Sequence, residues 1–212
     1  MTLTEPIARD AAPQAVSEQD YLDHWAERHY EWADGELIAL SPVKADHNHT
    51  LLYLIRLLDA YLSLRPIGQV FIEPFILRLD EHHYREPDLM VVLNENSVGT
   101  LTDTAVIGAA DVCIEVISPE SVKRDYIVKR DAYERAGVRE YWIIDPDRTT
   151  AVFNRLDADG RYRVIEPDAA DAYTTPLLPG LRVHVPTLWA RPLPNLMQVA
   201  ETVQAMLKGD AS

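Results

Sequence analysis

Residues 112–118 read Val-Cys-Ile-Glu-Val-Ile-Ser, and this run constrains the fold more than any other part of the chain. Side chains alternate between the two faces of a strand, so a run that is apolar at both parities belongs in a sheet covered on both sides. Such a strand needs a layer above and a layer below. The fold class is therefore α/β, or α+β with a mixed sheet flanked by helices. In the middle of the run stands Glu115. A carboxylate there is costly to bury unless a metal ion, a cation or a raised pKa compensates. Alternation puts Cys113, Glu115 and Ile117 on one face. The competing reading is a strand-end carboxylate that reaches water or an arginine.

The remaining pattern supplies the layers. Residues 1–16, with Pro6 and Pro13 and no apolar period, read as a flexible tail. Ser17 is an N-cap signal before an apolar stripe of Tyr21, Leu22 and Trp25. Asp34-Gly35 predicts a hairpin turn. Leu51, Leu54, Ile55, Leu58 and Leu62 recur at helical intervals, giving a long helix over 46–64 that Pro66 and Gly68 end. Two strands follow, over 70–79 and 84–93, and residues 94–110 read as loop. A second helix is predicted over 121–136, with Gly137 at its left-handed C-cap and Val138 closing the cap. Strands are predicted over 139–145 and, as a hairpin around 157–160, over 150–155 and 161–166. An amphipathic helix closes the chain over 195–207. The domain reading is a tail (1–16), a main domain (17–189) and a C-terminal helical extension (190–212).

Several further residues carry candidate chemistry. Asp88 follows Pro87 at the mouth of an apolar strand, where it is either a site carboxylate or a turn cap. Hard cations such as Mg²⁺ bind through one or two carboxylates plus waters and substrate phosphate. Asp125, Lys129 and Tyr133 are spaced four apart, on one helical stripe. Lys129 then either seeks a partner beneath the helix or forms a surface pair with Asp125, worth about 0.3–0.5 kcal/mol. Residues 120–139 hold six Lys/Arg against four Asp/Glu, a weak sign of a phosphate-facing patch. His47 and His49 do not face each other on a helix, and His82-His83 reads as a polar hairpin tip. Cys113 reads as a small core residue.

Composition narrows the class. The chain of 212 residues carries a formal charge of −14, which argues against whole-surface binding to nucleic acid or anionic membrane but leaves room for a local basic patch. No apolar run is long enough for a membrane span, and residues 1–10 lack the pattern of a secretory signal. One cysteine permits neither an internal disulfide nor a thiolate zinc cluster. A cytoplasmic location is the expectation.

Taken in order, EVISPES at 115–121, Asp125, Lys129, Tyr133 and GVREYWIIDP at 137–146 resemble the Uma family of "putative restriction endonucleases", within the PD-(D/E)XK nuclease superfamily. YEWADGE at 30–36, Ser41-Pro42 and His47 resemble the family's opening, EPDLMVV at 86–92 its "PD" strand, and LPGLRVHVPTLW at 178–189 its ending. The resemblance spans about 18–189. It implies a restriction-endonuclease-like core with the site at one end of the central strands. It implies Asp88 and Glu115 as ligands of Mg²⁺ (or Mn²⁺), with the Val116 carbonyl completing the shell. The superfamily's lysine belongs two residues after the glutamate, where this chain has Ile117, and its counterpart here is Lys129 on the following helix. Lys129 would then orient the attacking water, with Asp125 holding it in place. Glu36 and His47 match family positions as accessory residues. The implied activity is metal-dependent hydrolysis of phosphodiester bonds, in DNA first, giving 5′-phosphate and 3′-hydroxyl ends. A homodimer would serve the cutting of two strands. The alternatives are a non-catalytic nuclease-fold module that binds nucleic acid or protein, and an assembly unit that pairs through Leu196, Val199, Val203 and Leu207.

Overall fold

A computed structural model describes residues 15–26, 28, 30–39, 43–96 and 99–209. Most of the expected tail and Ser41-Pro42 lie outside those residues. Ser17 caps α1 (Glu18–His24) by accepting the Asp20 N–H. Val16, inside the expected tail, is buried, and its carbonyl accepts the Trp32 indole N–H at 2.9 Å. β1 (Tyr30–Ala33) and β2 (Glu36–Ala39) form the hairpin at Asp34-Gly35, where both turn residues have positive φ. The long helix α2 (Ala45–Leu64) follows.

The pair of strands expected over 70–79 and 84–93 forms, but each member is cut in two. β3 (Gly68–Ile72) stops before Glu73-Pro74, and β4 (Ile76–Arg78) resumes beyond it. β5 (His83–Arg85) and β6 (Leu89–Leu93) are separated at Glu86-Pro87-Asp88. Proline has no N–H for a ladder, so both breaks fall at prolines. The outer halves β4 and β5 pair in one sheet, and the inner halves β3 and β6 pair in another. The stretch read as loop over 94–110 instead holds β7 (Gly99–Leu101) and β8 (Ala105–Gly108). These strands are too short and exposed to show an alternating pattern in sequence.

β9 (Val112–Val116) is the buried strand foreseen. After it the helix expected over 121–136 differs in kind. It opens as a π-helical turn (Arg124–Lys129) and continues as α3 (Arg130–Ala136). Gly137 sits at φ 85°, and Val138 N–H reaches the Tyr133 carbonyl at 3.0 Å. β10 (Glu140–Asp145), β11 (Thr150–Leu156) and β12 (Tyr162–Val164) come next. β13 (Ala172–Thr174) and β14 (Arg182–His184) make a ribbon, followed by α4 (Val185–Trp189) and α5 (Leu196–Gly209).

The central sheet runs β12-β11-β10-β9-β6-β3, with β9 parallel to β10 and antiparallel to β6. The second sheet runs β2-β1-β5-β4-β8-β7. Strand alternation sorts the core into two layers. Leu89, Val91, Ile114, Val116, Trp142 and Ile144 meet α2 and α5. Met90, Cys113, Ile117, Tyr141 and Ile143 meet α3 and residues of the second sheet such as Leu77. Glu115 shares the parity of Cys113 and Ile117, so it enters this second layer. Val199 and Val203 of α5 are buried in the first layer, and Leu207 packs against it. The stripe considered for pairing between copies is thus used within the chain, with Leu196 left exposed. Among the described residues no helix is long and apolar enough to cross a membrane.

The C-cap at Gly137 gives a direct test. A Cβ there would meet no atom within 4 Å, so a substitution carries backbone strain alone. Gly137→Ala should lower the unfolding free energy by about 1–2 kcal/mol, with Gly137→Asn milder, read by urea denaturation.

Candidate active site

The two breaks in the shared strand pair and the C-terminal end of β9 lie together, and a cavity of about 660 Å³ opens there. Asp88, Glu115, Val116, His47 and Asp125 line it, with Arg124 at its side. Each arrives for a local reason. Asp88 comes from the proline break before β6, and Glu115 and Val116 from the buried β9. His47 sits in the first turn of α2, and Asp125 and Arg124 in the π-helical turn.

Asp88 is fixed by its Oδ2, which accepts the Val116 N–H at 2.6 Å and lies 3.2 Å from His47 Nε2. Burial works against a proton on His47, but the hydrogen bond and charge of Asp88 outweigh it and raise the imidazole pKa. Glu115, 3% exposed, is fixed by its Oε1, which accepts Lys129 Nζ at 2.7 Å and the Tyr133 hydroxyl at 3.2 Å. Lys129 is only 1% exposed. Its ammonium also donates to Glu31 Oε1 at 2.7 Å. The lysine expected from the helix therefore turns inward to the glutamate, although it stays below the cavity and touches it only through Glu115.

The partner that holds Lys129 differs from expectation. Asp125 Oδ1 accepts Arg124 Nε at 3.2 Å and has no direct bond to Lys129. Glu31, 0% exposed on β1, takes that place, and its Oε1 also accepts the Glu86 N–H at 3.1 Å. Glu36, the acidic residue singled out on this hairpin, is exposed on β2 and does not line the cavity. Both acids lie on the same face of the hairpin, so their position along it explains the difference. Glu31 pairs across from Ile38, whereas Glu36 sits beside the turn, opposite Ala33. An acidic residue in YEWA with aromatics on both sides was the available signal for Glu31.

The charges do not balance. One ammonium lies between two buried carboxylates. Burial raises the Glu31 pKa, but Lys129, Arg85 and Arg124 outweigh it and hold the carboxyl below its ordinary range. For Glu115, burial wins over Lys129, and the nearby Asp88, Asp125 and Glu31 push the carboxyl further up. Glu86, also missed in the sequence, is buried with neither oxygen hydrogen-bonded among the described residues, and burial with Glu31 and Glu73 pushes it up to about 8. Such a cluster favours a proton or an additional cation.

The donor set fits a divalent cation in one specific way. Glu115 and Asp88 each have one oxygen anchored inside the fold. Glu115 Oε2 and Asp88 Oδ1 receive no hydrogen bond among the described residues. Both residues line the cavity. No group of three or more His, Cys, Asp or Glu side chains among the described residues could hold a metal. A hard ion would therefore complete its shell with water, a main-chain carbonyl and a substrate oxygen.

Removing the ammonium tests this arrangement. Lys129→Met leaves two buried carboxylates without their cation and should destabilise the fold by about 3–5 kcal/mol in urea denaturation. Adding Glu31→Gln and Glu115→Gln should recover most of the loss. A single Lys129→Met variant as stable as the parent contradicts the account.

Comparison with known proteins agrees with the fold. A crystal structure titled as a putative nuclease belonging to DUF820, from Anabaena variabilis ATCC 29413, superposes with a TM-score of 0.67. It is 20% identical, and the match covers 82% of this chain and 97% of that one. No curated protein matches. The model of the Uma2 family, described as "Putative restriction endonuclease", matches residues 19–186, and the chain belongs to that family.

Proposed function

We propose that this protein is a divalent-metal-dependent nuclease that hydrolyses phosphodiester bonds in DNA, in the cytoplasm. One observation carries the reading. Two carboxylates on neighbouring strands line one cavity, each with an uncommitted oxygen, and a buried lysine and tyrosine fix the second of them. The family description and the nuclease named in the structural neighbour's title support it.

In this reading Glu115 and Asp88, with the Val116 carbonyl, would hold Mg²⁺, or Mn²⁺ in its place. The bound ion would polarise the phosphodiester and lower the pKa of its water. The chain's own residues do the rest. Lys129 and Tyr133 fix the rotamer of Glu115. The Val116 N–H and His47 do the same for Asp88. Such supporting bonds matter about as much as the ligands they orient. Because Lys129 does not reach the cavity, it is a positioning residue and not a contact of the attacking water. Arg124, beside the carboxylates, offers a guanidinium to a phosphate.

A second reading keeps the fold and drops the chemistry. The −14 charge favours it, because phosphate contact is normally driven by Lys and Arg. Calorimetric titration with Mg²⁺ separates the two, since an inert module needs no ion.

Glu115→Ala and Asp88→Asn should each lower Mg²⁺-dependent cleavage of a labelled oligonucleotide at least about 100-fold, at about 1.36 kcal/mol per factor of ten. Their circular dichroism should stay that of the parent. Chelation by EDTA should abolish cleavage, and added Mg²⁺ should restore it. Tyr133→Phe should reduce it about 10-fold. A Glu115→Ala variant that cuts as fast as the parent sinks the mechanism.

A further inference from the structure

The cavity has two kinds of lining. One part is the acidic floor already described, with Arg124 beside it. The other part is apolar and aromatic, made by Tyr30 and Ala39 of the first hairpin, Val43, and Leu51 of α2. Arg28 also lines it. The Arg28 guanidinium lies 5.5 Å from the centre of the Trp25 ring, and Trp25 meets Tyr30 edge-to-face at 5.2 Å. Tyr30 and Arg28 thus stand at the same opening as the carboxylates, with Trp25 packed against both.

The reacting groups are set deep. Asp88 is 8% exposed and Glu115 3%. A phosphate can reach them only by entering the cavity, and in a paired duplex the backbone is held along a continuous stack. Duplex binders that rely on the backbone neutralise about 6–10 phosphates with Lys and Arg. This cavity presents two arginines, against carboxylates that include Glu73 and Glu120. Its side-chain charge supplies little affinity for a polyanion, and a π-face for a base adds to it.

We propose that the substrate is an unpaired strand of nucleic acid, in single-stranded DNA or RNA, with one base lying against Tyr30 and the adjoining phosphates on Arg28 and Arg124. The cavity volume suits one nucleotide out of its stack, with the base on the aromatic lining and the phosphodiester on the acidic floor. An unpaired strand also needs only one site, so cutting it requires no second copy. This inference rests on the nuclease reading for its choice of substrate class, yet it is separable by binding.

The test uses the full chain carrying Glu115→Gln, so that binding is read without cleavage. Fluorescence anisotropy in Mg²⁺ compares a labelled 12-nucleotide DNA strand, the same strand as RNA, and the blunt DNA duplex of that sequence. A single strand should bind at least tenfold tighter than the duplex, and the DNA and RNA arms identify which strand is preferred. Adding Tyr30→Ala should weaken strand binding about tenfold, Tyr30→Phe should retain it, and duplex binding should change by less than twofold. Arg28→Ala should reduce the slope of log affinity against log salt by about 0.7, one phosphate contact. A duplex bound as tightly as the strands, no binding to either strand, or Tyr30→Ala equal to the parent overturns the proposal. Cleavage of duplex by the parent with no strand preference overturns this inference and leaves the nuclease reading standing. Tyr30-dependent strand binding by a parent that cuts nothing supports this inference and removes the nuclease reading.

Discussion

The site depends on a buried ammonium shared between two carboxylates. Lys129 leaves the π-helical turn, Glu31 comes from the second sheet and Glu115 from the central one. Each of these groups alone would be costly in that position, and together they still carry an uncompensated negative charge. That excess favours a proton or a further cation at the place. The shared ammonium also adds a polar tie within the layer where these three parts of the fold pack together. The aromatic contacts of Tyr133 and Tyr141, 4.9 Å apart, close the layer around it.

The large-scale architecture could be read from the residues because its signals are local. The 112–118 run, the Leu spacing in α2 and the glycines at Gly35 and Gly137 each depend on a few neighbours. Asp88, Glu115 and Lys129 stood out because charge is rare beside such apolar runs. The misses have a different character. The split of the 70–79 and 84–93 strands depends on which sheet each half joins, and no periodicity encodes that. The short β7–β8 pair was invisible for want of length. Glu31 was hidden because its importance is a matter of distance to Lys129, 98 positions later in the chain, and Glu36, five residues on, looked equally acidic. The π-helical turn buries Asp125 and Lys129 while Ile127 and Val128 between them stay exposed, the reverse of what polarity predicts.

The proposed reading sets an overall negative charge against a phosphate-bearing substrate, and location reconciles the two. Many of the anions lie in surface pairs, such as Asp168 with Arg182 and Asp157 with Arg163, far from any need to meet a polyanion. Those pairs contribute little stability each. The acidic excess beyond such neutral pairs disfavours binding of a polyanion over the surface as a whole.

The strand pair that bends at Pro74 and Pro87 belongs to both sheets at once. The candidate site therefore cannot assemble piecemeal as the chain folds. Glu31 waits for the second sheet, Asp88 for the bend, Glu115 for the central sheet and Lys129 for the turn after it. With either sheet unmade, these residues are not brought to one place. The bend thus makes the candidate site an all-or-none property of the completed fold.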